Sequence, residues 1–205
     1  MLRVLATGEA AVLVEAEDGE QAEALHAELL RRRAAGDLAD AVEIVPAART
    51  VLVSGLADPR AFARDVLRRD VPPLVRGRGE AVDLPVRFDG PDLAEVAGLW
   101  GMTEEEVAAT VTGTAFRVAF CGFAPGFGYL TGLPEALHVP RRATPRTAVP
   151  AGAVALAGPY AGVYPRSSPG GWQLVGTTDA RLWDPDREPA ALLAPGTGVR
   201  FTVVR

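Results

Sequence analysis

Residues 120–172 read FCGFAPGFGYLTGLPEALHVPRRATPRTAVPAGAVALAGPYAGVYPRSSPGGW. Proline and glycine interrupt this stretch so often that no long helical period runs through it, and the same is true of the chain from Phe116 onward. Short apolar runs separated by turn residues are typical of the strands of a closed barrel or a sandwich. The predicted strands are Phe116–Phe120, Ala153–Ala157, Trp172–Gly176 and Val199–Val204.

The chain before residue 80 has a different pattern, in which strands alternate with amphipathic helices. A segment rich in proline, glycine and arginine, Val71–Gly79, ends this part, so we predict two domains, 1–80 and 81–205. Helices with one apolar face pack on one side of a small antiparallel sheet. This predicts a small α/β sandwich domain and the α+β class for the whole chain. The predicted elements are the strands Leu2–Ala6, Ala11–Glu15, Val42–Val45 and Val51–Gly55, the helix Gly19–Ala35 and a helix that starts near Asp58-Pro59.

Two short helices with clear start signals follow a predicted strand, Val82–Phe88. Pro91 takes a first-turn position, and Thr103 with Glu106 forms a capping box for the second helix. The pair has the length of a helix-turn-helix, but the second helix begins with three glutamates, 104–106, which would face the negative potential of a DNA duplex. We therefore predict no nucleic-acid partner.

Composition excludes several classes of site. All 21 basic residues are arginine, so a P-loop lysine and a Schiff-base lysine are ruled out. Cys121 is the single cysteine and the two histidines lie far apart, so we predict no disulfide and no metal site. We also predict a cytoplasmic protein without a membrane partner, because neither a signal peptide nor an apolar run of membrane-spanning length is visible.

A cationic stretch stands out on an acidic chain, whose net charge is −5. Between Gly113 and Trp172 the only acid is Glu135, but this stretch holds several arginines, among which Arg141, Arg142 and Arg146 lie between prolines. Prolines stiffen the backbone, and guanidinium groups bind carboxylates or phosphates through paired donors. This pattern indicates an anion site. Surface ion pairs with acidic neighbours are the alternative.

Two loops supply the other predicted substrate-binding residues. Their glycines would let the backbone approach a ligand, and their aromatic rings would form flat walls, in a hollow at the mouth of the barrel. Tight turns between barrel strands are the alternative explanation of the glycines. The predicted substrate-binding set is Arg141, Arg142, Arg146, Phe127, Tyr129, Tyr164, Ser168, Gly170, Gly171 and Trp172, and no catalytic residue is assigned.

Five motifs in a fixed order resemble one family, the allophanate hydrolase subunit 1 family, also called KipI-like or the 5-oxoprolinase B-subunit family. The resemblance implies a small N-terminal α/β domain followed by a cyclophilin-like β-barrel. It also implies a composite site formed with a homologous subunit-2, or KipA-like, partner. The motifs are P-G-F-G-Y-L-T-G-L-P (125–134), P-R-R-x-x-P-R (140–146), V-P-A-G-A-V (149–154), G-V-Y-P (162–165) and S-P-G-G-W (168–172).

The family resemblance implies an ATP-dependent hydrolase that opens a cyclic amide, 5-oxoproline, with ATP shared among the subunits and a separate lactam-hydrolase subunit as a further partner. A small carboxylate or amide is the implied substrate. The alternatives are a KipI-type inhibitor of a histidine kinase and a urea carboxylase-like carboxyltransferase component. Val111 replaces a histidine common in the family, so a proton-transfer role at this position is excluded. Tyr160-Ala161 replaces a Gln-Thr pair, so substrate choice, or activity itself, is expected to differ from the family.

Overall fold

The structure is a computed structural model that describes residues 1–74 and 81–204. The chain divides into two compact units, Met1–Arg78 and Gly79–Arg205. The domain boundary predicted at residue 80 falls outside the described residues. Within the described residues, no helix has the length and apolar character needed to cross a membrane.

The first unit is a four-stranded antiparallel sheet with the strand order β1-β2-β4-β3 and two helices. Alternate residues of the strands face the helices, so Val12 and Val53 are buried against Leu25 and Phe62. Both helices begin after an aspartate, Asp18 or Asp58, whose side chain accepts a backbone N–H of the first turn. The elements are β1 (Arg3–Ala6), β2 (Ala11–Glu15), α1 (Gly19–Ala34), β3 (Glu43–Pro46), β4 (Thr50–Ser54) and α2 (Pro59–Arg68).

The second unit is built on a seven-stranded sheet with the order β12-β9-β10-β7-β6-β13-β5. Arg87, directly after β5, pairs with Thr177 at the end of β12, and this bridge nearly closes the sheet into a barrel. The α+β class and the predicted barrel are confirmed. Its elements are β5 (Val82–Val86), α3 (Leu93–Trp100), α4 (Glu104–Gly113), β6 (Phe116–Cys121), β7 (Gly128–Thr131), β8 (Arg146–Val149), β9 (Ala153–Ala157), β10 (Tyr160–Val163), β11 (Ser168–Gly170), β12 (Gln173–Thr177) and β13 (Gly198–Val203).

The predicted helix pair is present, with one correction at its start. Helix α3 begins at Leu93 after Asp92, so Pro91 precedes the first helical turn. Asp92 makes no side-chain cap because other donors hold its carboxylate. Helix α4 has the predicted capping box, in which Thr103 and Glu106 satisfy each other's backbone N–H groups.

Replacing Thr103 with alanine is expected to lower the free energy of unfolding of the barrel unit by about 1 kcal/mol, because the N–H of Glu106 loses its acceptor. Tryptophan fluorescence during urea unfolding reports on this unit alone, since Trp100, Trp172 and Trp183 all lie in it. Thr103→Ser, which keeps the accepting oxygen, should leave the midpoint unchanged. An equal loss in both variants would contradict a role for the cap.

Candidate functional site

Seven aromatic residues of the second unit form one contiguous cluster, the aromatic group. Phe127 lies at its centre, with its ring centroid 5.0 Å from that of Tyr129 and 5.4 Å from those of Tyr164 and Trp172. Almost all of the contacts are edge-to-face, the geometry that ring quadrupoles favour. The members are Phe120, Phe123, Phe127, Tyr129, Tyr160, Tyr164 and Trp172.

The aromatic group lies on the outer face of the barrel sheet, because successive residues of a strand point to opposite faces. In β9, Val154 and Leu156 belong to the barrel core, and the alanines between them belong to the aromatic cluster. The small side chains of Ala153, Ala155 and Ala157 form the floor on which the rings pack. The rings predicted to line a hollow at the barrel mouth therefore lie on the outer face of the sheet, where the alternation in β9 places them.

Two glycines make room for the protein's own rings. A Cβ on Gly162 would lie 2.9 Å from the Phe127 ring and 3.0 Å from the Trp172 ring. A Cβ on Gly170 would collide with the hydroxyl of Tyr164. The close approach predicted for a ligand at Gly170 is thus made by Tyr164.

Gly171 and Ser168 also make contacts within the chain. The carbonyl of Gly171 accepts the backbone N–H of Arg142 at 2.8 Å, and this bond joins the 140–146 loop to the start of β12. Ser168 lies in β11, which pairs with β8, and its hydroxyl is 3.5 Å from the carbonyl of Arg166. The two loops that carry the predicted site residues are therefore connected to each other.

Arg142 and Arg146 bind a carboxylate of this chain, Asp92. One oxygen of Asp92 accepts Arg142 Nη1 and Arg146 Nη2, each at 2.7 Å, and the other accepts the backbone N–H of Leu174, also at 2.7 Å. Asp92 is only 3% exposed. The anion held by these two arginines within the chain is therefore Asp92, which was absent from the predicted site, because it precedes them by 50 and 54 residues in sequence.

The surroundings of Asp92 favour its ionised form. Burial acts to raise the pKa of this carboxyl, but hydrogen bonds from Arg146 and Leu174 and the charges of both arginines outweigh that effect, so the pKa lies below its usual value. Gln173 extends the network through its amide nitrogen to Glu95 at 3.1 Å. A buried charge with this many donors is costly to disturb.

Arg141 differs from its two neighbours. It is exposed, and within residues 1–74 and 81–204 its guanidinium makes no hydrogen bond or ion pair. Burial raises the pKa of Tyr129 and of Tyr164, and the positive charge of Arg141 opposes part of both rises. The charge of Arg141 therefore acts on two tyrosine hydroxyls of the aromatic group, and its donors are available to a ligand.

The two departures from the family pattern have different surroundings. Val111 is fully buried in the barrel core, away from the aromatic group. Tyr160 contacts Phe120 and Tyr129 and so contributes to the aromatic group, whereas Ala161 points into the barrel core. Of the positions that differ, only Tyr160 can influence a ligand at the rings.

Other features of the structure do not coincide with the predicted site. A cleft of about 900 Å³ lies in the first unit, lined by residues such as Gln21, Leu67 and Pro72, and it contains none of the predicted site residues. Four rings of the aromatic group are buried, and its accessible rings are those of Phe123, Tyr129 and Tyr160. We base the candidate site on these three rings together with the available charge of Arg141. In the described part of the chain, no three His, Cys, Asp or Glu side chains are grouped so as to hold a metal ion.

Comparison with known proteins gives consistent results. The family described as carboxyltransferase domain, subdomain C and D, matches residues 2–193. The chain is 42% identical over 173 residues to the 5-oxoprolinase B subunit of Escherichia coli O157:H7, a match that covers 80% of this chain and 79% of that protein. The crystal structure of TTHA0988 is 37% identical with a TM-score of 0.74, over all of this chain and 41% of the other. The K. lactis urea amidolyase, with a TM-score of 0.74 at 18% identity over 99% of this chain and 15% of that one, shows the fold alone.

Proposed function

We propose, from the premise that this chain belongs to the family of the carboxyltransferase domain, subdomain C and D, that it is one component of a 5-oxoprolinase-type complex. The family predicted from the five motifs is thereby confirmed. The name of the Escherichia coli relative, the 5-oxoprolinase B subunit, supports both the reaction and the existence of partner subunits. The complex would open the cyclic amide bond of 5-oxoproline or of a similar small lactam.

One observation carries the assignment of the substrate-binding site, namely that the exposed guanidinium of Arg141 makes no hydrogen bond or ion pair within the described residues. A guanidinium binds a carboxylate with paired, charge-assisted donors. The faces of aromatic rings accommodate a small flat ring, such as a lactam, without polar groups that would be left unpaired. Arg141 with Tyr129, whose ring is half-buried whereas Tyr164 is only 2% exposed, therefore fits a compact ring that bears one carboxylate.

The same geometry suggests which component of the complex binds the substrate carboxylate and which components bind ATP. Arg142 and Arg146 each donate one nitrogen to Asp92, and two nitrogens that make no hydrogen bond, Arg142 Nε and Arg146 Nη1, are buried. Arg141 is therefore the one of these three whose guanidinium is exposed to an added anion. One guanidinium suits one carboxylate, but a triphosphate requires several donors. A single available guanidinium fits poorly with ATP, and we therefore assign the binding of ATP to the other components, a KipA-like partner and a separate lactam-hydrolase subunit.

We place the complex in the cytoplasm, because a single cysteine in 205 residues suits a reducing compartment.

Replacing Arg141 with alanine is expected to lower kcat/KM for 5-oxoproline about 30-fold in the reconstituted complex, because one charge-assisted hydrogen-bonded contact is lost. ATP-dependent loss of 5-oxoproline is the measurement, made with all subunits present. Arg166→Ala is the matched control, since it removes an exposed charge from the same stretch of sequence.

The outcomes separate the parts of the proposal. Full activity of the Arg141 variant would show that this arginine does not bind substrate. No turnover by the wild-type chain in a well-formed complex would contradict the 5-oxoprolinase function itself. In that case carboxyl transfer, the activity that the family description favours, becomes the better assignment, and it is tested with a biotin-dependent carboxylation assay.

A further inference from the structure

The loop between β6 and β7 exposes a phenylalanine in a strained backbone conformation. Phe123 has φ 67°, and among non-glycine residues of the described chain it alone has a positive φ. Bulky residues rarely adopt this region, which costs free energy that the rest of the fold must offset. Even so, 58% of Phe123 is exposed to solvent. The strained conformation therefore holds an apolar ring at the surface, with more than half of its area open to solvent.

A second exposed aromatic side chain lies against the same loop. Trp183 is 41% exposed, and a Cβ on Gly126 would lie only 2.9 Å from the Trp183 Cβ. Gly126 has φ 84°, so both its conformation and its missing side chain let the loop backbone pack on Trp183. Phe123 thus lies within one short loop, residues 122–127, and Trp183 packs against it. This loop contains no charged residue.

The loop is continuous with the candidate site. The ring centroid of Phe123 is 5.3 Å from that of Phe127 and 6.1 Å from that of Tyr164, both members of the aromatic group. Next to Trp183, the exposed Arg181 forms an ion pair at 3.0 Å with Asp184, which is half-buried. Exposed aromatic residues beside a polar rim are the usual composition of the centre of a protein interface.

We propose that residues 122–127 and Trp183, which together we call the aromatic edge, form the docking surface for the KipA-like partner of the complex. This rests on the proposed function, in which a second polypeptide completes the site beside the aromatic group. The occupant would present an apolar surface, since the loop offers no charge for a polar one. In TTHA0988 most of the polypeptide lies outside the part that matches this chain, so the matched part is joined to a further polypeptide region there.

The test measures the Kd of the purified KipA-like partner for the full-length chain by isothermal titration calorimetry. Phe123→Asn removes the ring but keeps a residue that tolerates a positive φ, so the loop is expected to keep its conformation. Phe123→Asn and Trp183→Ala are each expected to weaken binding about 30-fold, as loss of an interface hot spot does. Leu99→Ala is the matched control, because Leu99 on α3 is 52% exposed and distant in sequence from the loop.

Each result bears on the proposal. Binding of both aromatic variants with the wild-type Kd would overturn the docking surface and leave the proposed function intact. Failure of the wild-type chain to bind the partner would overturn both. Sedimentation of the chain alone is expected to give a monomer, and a dimer that Phe123→Asn dissociates would mean that a second copy, rather than the KipA-like partner, covers the aromatic edge.

Discussion

Replacing Asp92 with asparagine is expected to lower the free energy of unfolding of the barrel unit by about 3 kcal/mol. The substitution removes the charge that offsets two guanidinium groups and weakens the acceptor of the Leu174 N–H. Asp92 joins the start of α3, the 140–146 loop and β12, so its loss is expected to loosen three elements together. Urea unfolding followed by tryptophan fluorescence measures the change, because all three tryptophans lie in this unit.

Asp83→Asn is the matched control for this experiment. Asp83 also pairs with an arginine, Arg200, at 2.7 Å, but both side chains are largely exposed. Water screens such a pair, so its loss is expected to change stability far less than the loss of Asp92. Equal effects of the two substitutions would mean that burial contributes nothing to the importance of Asp92.

Asp92 also predicts a dependence of stability on pH. Its folded-state pKa is lowered, so the ionised carboxylate stabilises the fold above the unfolded-state value of about 4. That contribution is lost as the pH falls through the folded-state pKa. The difference in stability between wild type and Asp92→Asn should therefore be constant near neutral pH and shrink below about pH 4. A difference that grows on acidification would contradict this assignment.

Gly90→Ala is the second substitution with a large expected effect, a loss of about 3 kcal/mol in the free energy of unfolding of the barrel unit. The N–H of Gly90 donates to Val175 O at 3.3 Å, where the chain after β5 runs along β12 and closes the barrel. A Cβ at this position would collide with backbone atoms of Leu174, Val175 and Gly176. A backbone atom cannot move aside as a flexible side chain does, so the chain after β5 would have to separate from β12.

Gly98→Ala is the control for Gly90→Ala. Gly98 lies within α3, and a Cβ there meets no atom within 4 Å. Alanine is favoured over glycine in a helix by about 0.5–1 kcal/mol, so this variant is expected to be slightly more stable than wild type. Opposite signs for the two glycines are thus the expected result. A Gly90→Ala protein as stable as wild type would show that the barrel closes without this contact.

Local elements could be predicted from neighbouring residues. The strands Ala11–Glu15 and Ala153–Ala157 have the predicted bounds, and the capping box of Thr103 and Glu106 is present. The signals for these elements lie within a few residues, as alternation in a strand or a cap at a helix start. The short strands β7, β8, β10 and β11 were not predicted, because three or four residues carry too little periodicity.

Four of the predicted site residues, Phe127, Tyr129, Tyr164 and Trp172, lie in contact with one another, but their role in binding stays a prediction. Their arrangement could not be predicted from the sequence. The pairing of Arg142 and Arg146 with Asp92 had no local signal, and neither did the position of the rings on the outer face. The proposed role of Phe123 and Trp183 also depends on the fold, because the φ angle of Phe123 and the exposed fraction of both side chains cannot be read from residue type.

The order of strands and helices, the glycine-rich turns and the family motifs were determined by the amino-acid sequence, because each depends on residues close together in the chain. Which arginine stays available to a ligand was decided only by tertiary structure. Asp92 is 50 residues from Arg142 and 82 from Leu174, and folding alone brings them within hydrogen-bonding distance. Once this buried carboxylate has taken two guanidinium groups, the charge of Arg141 remains for the site.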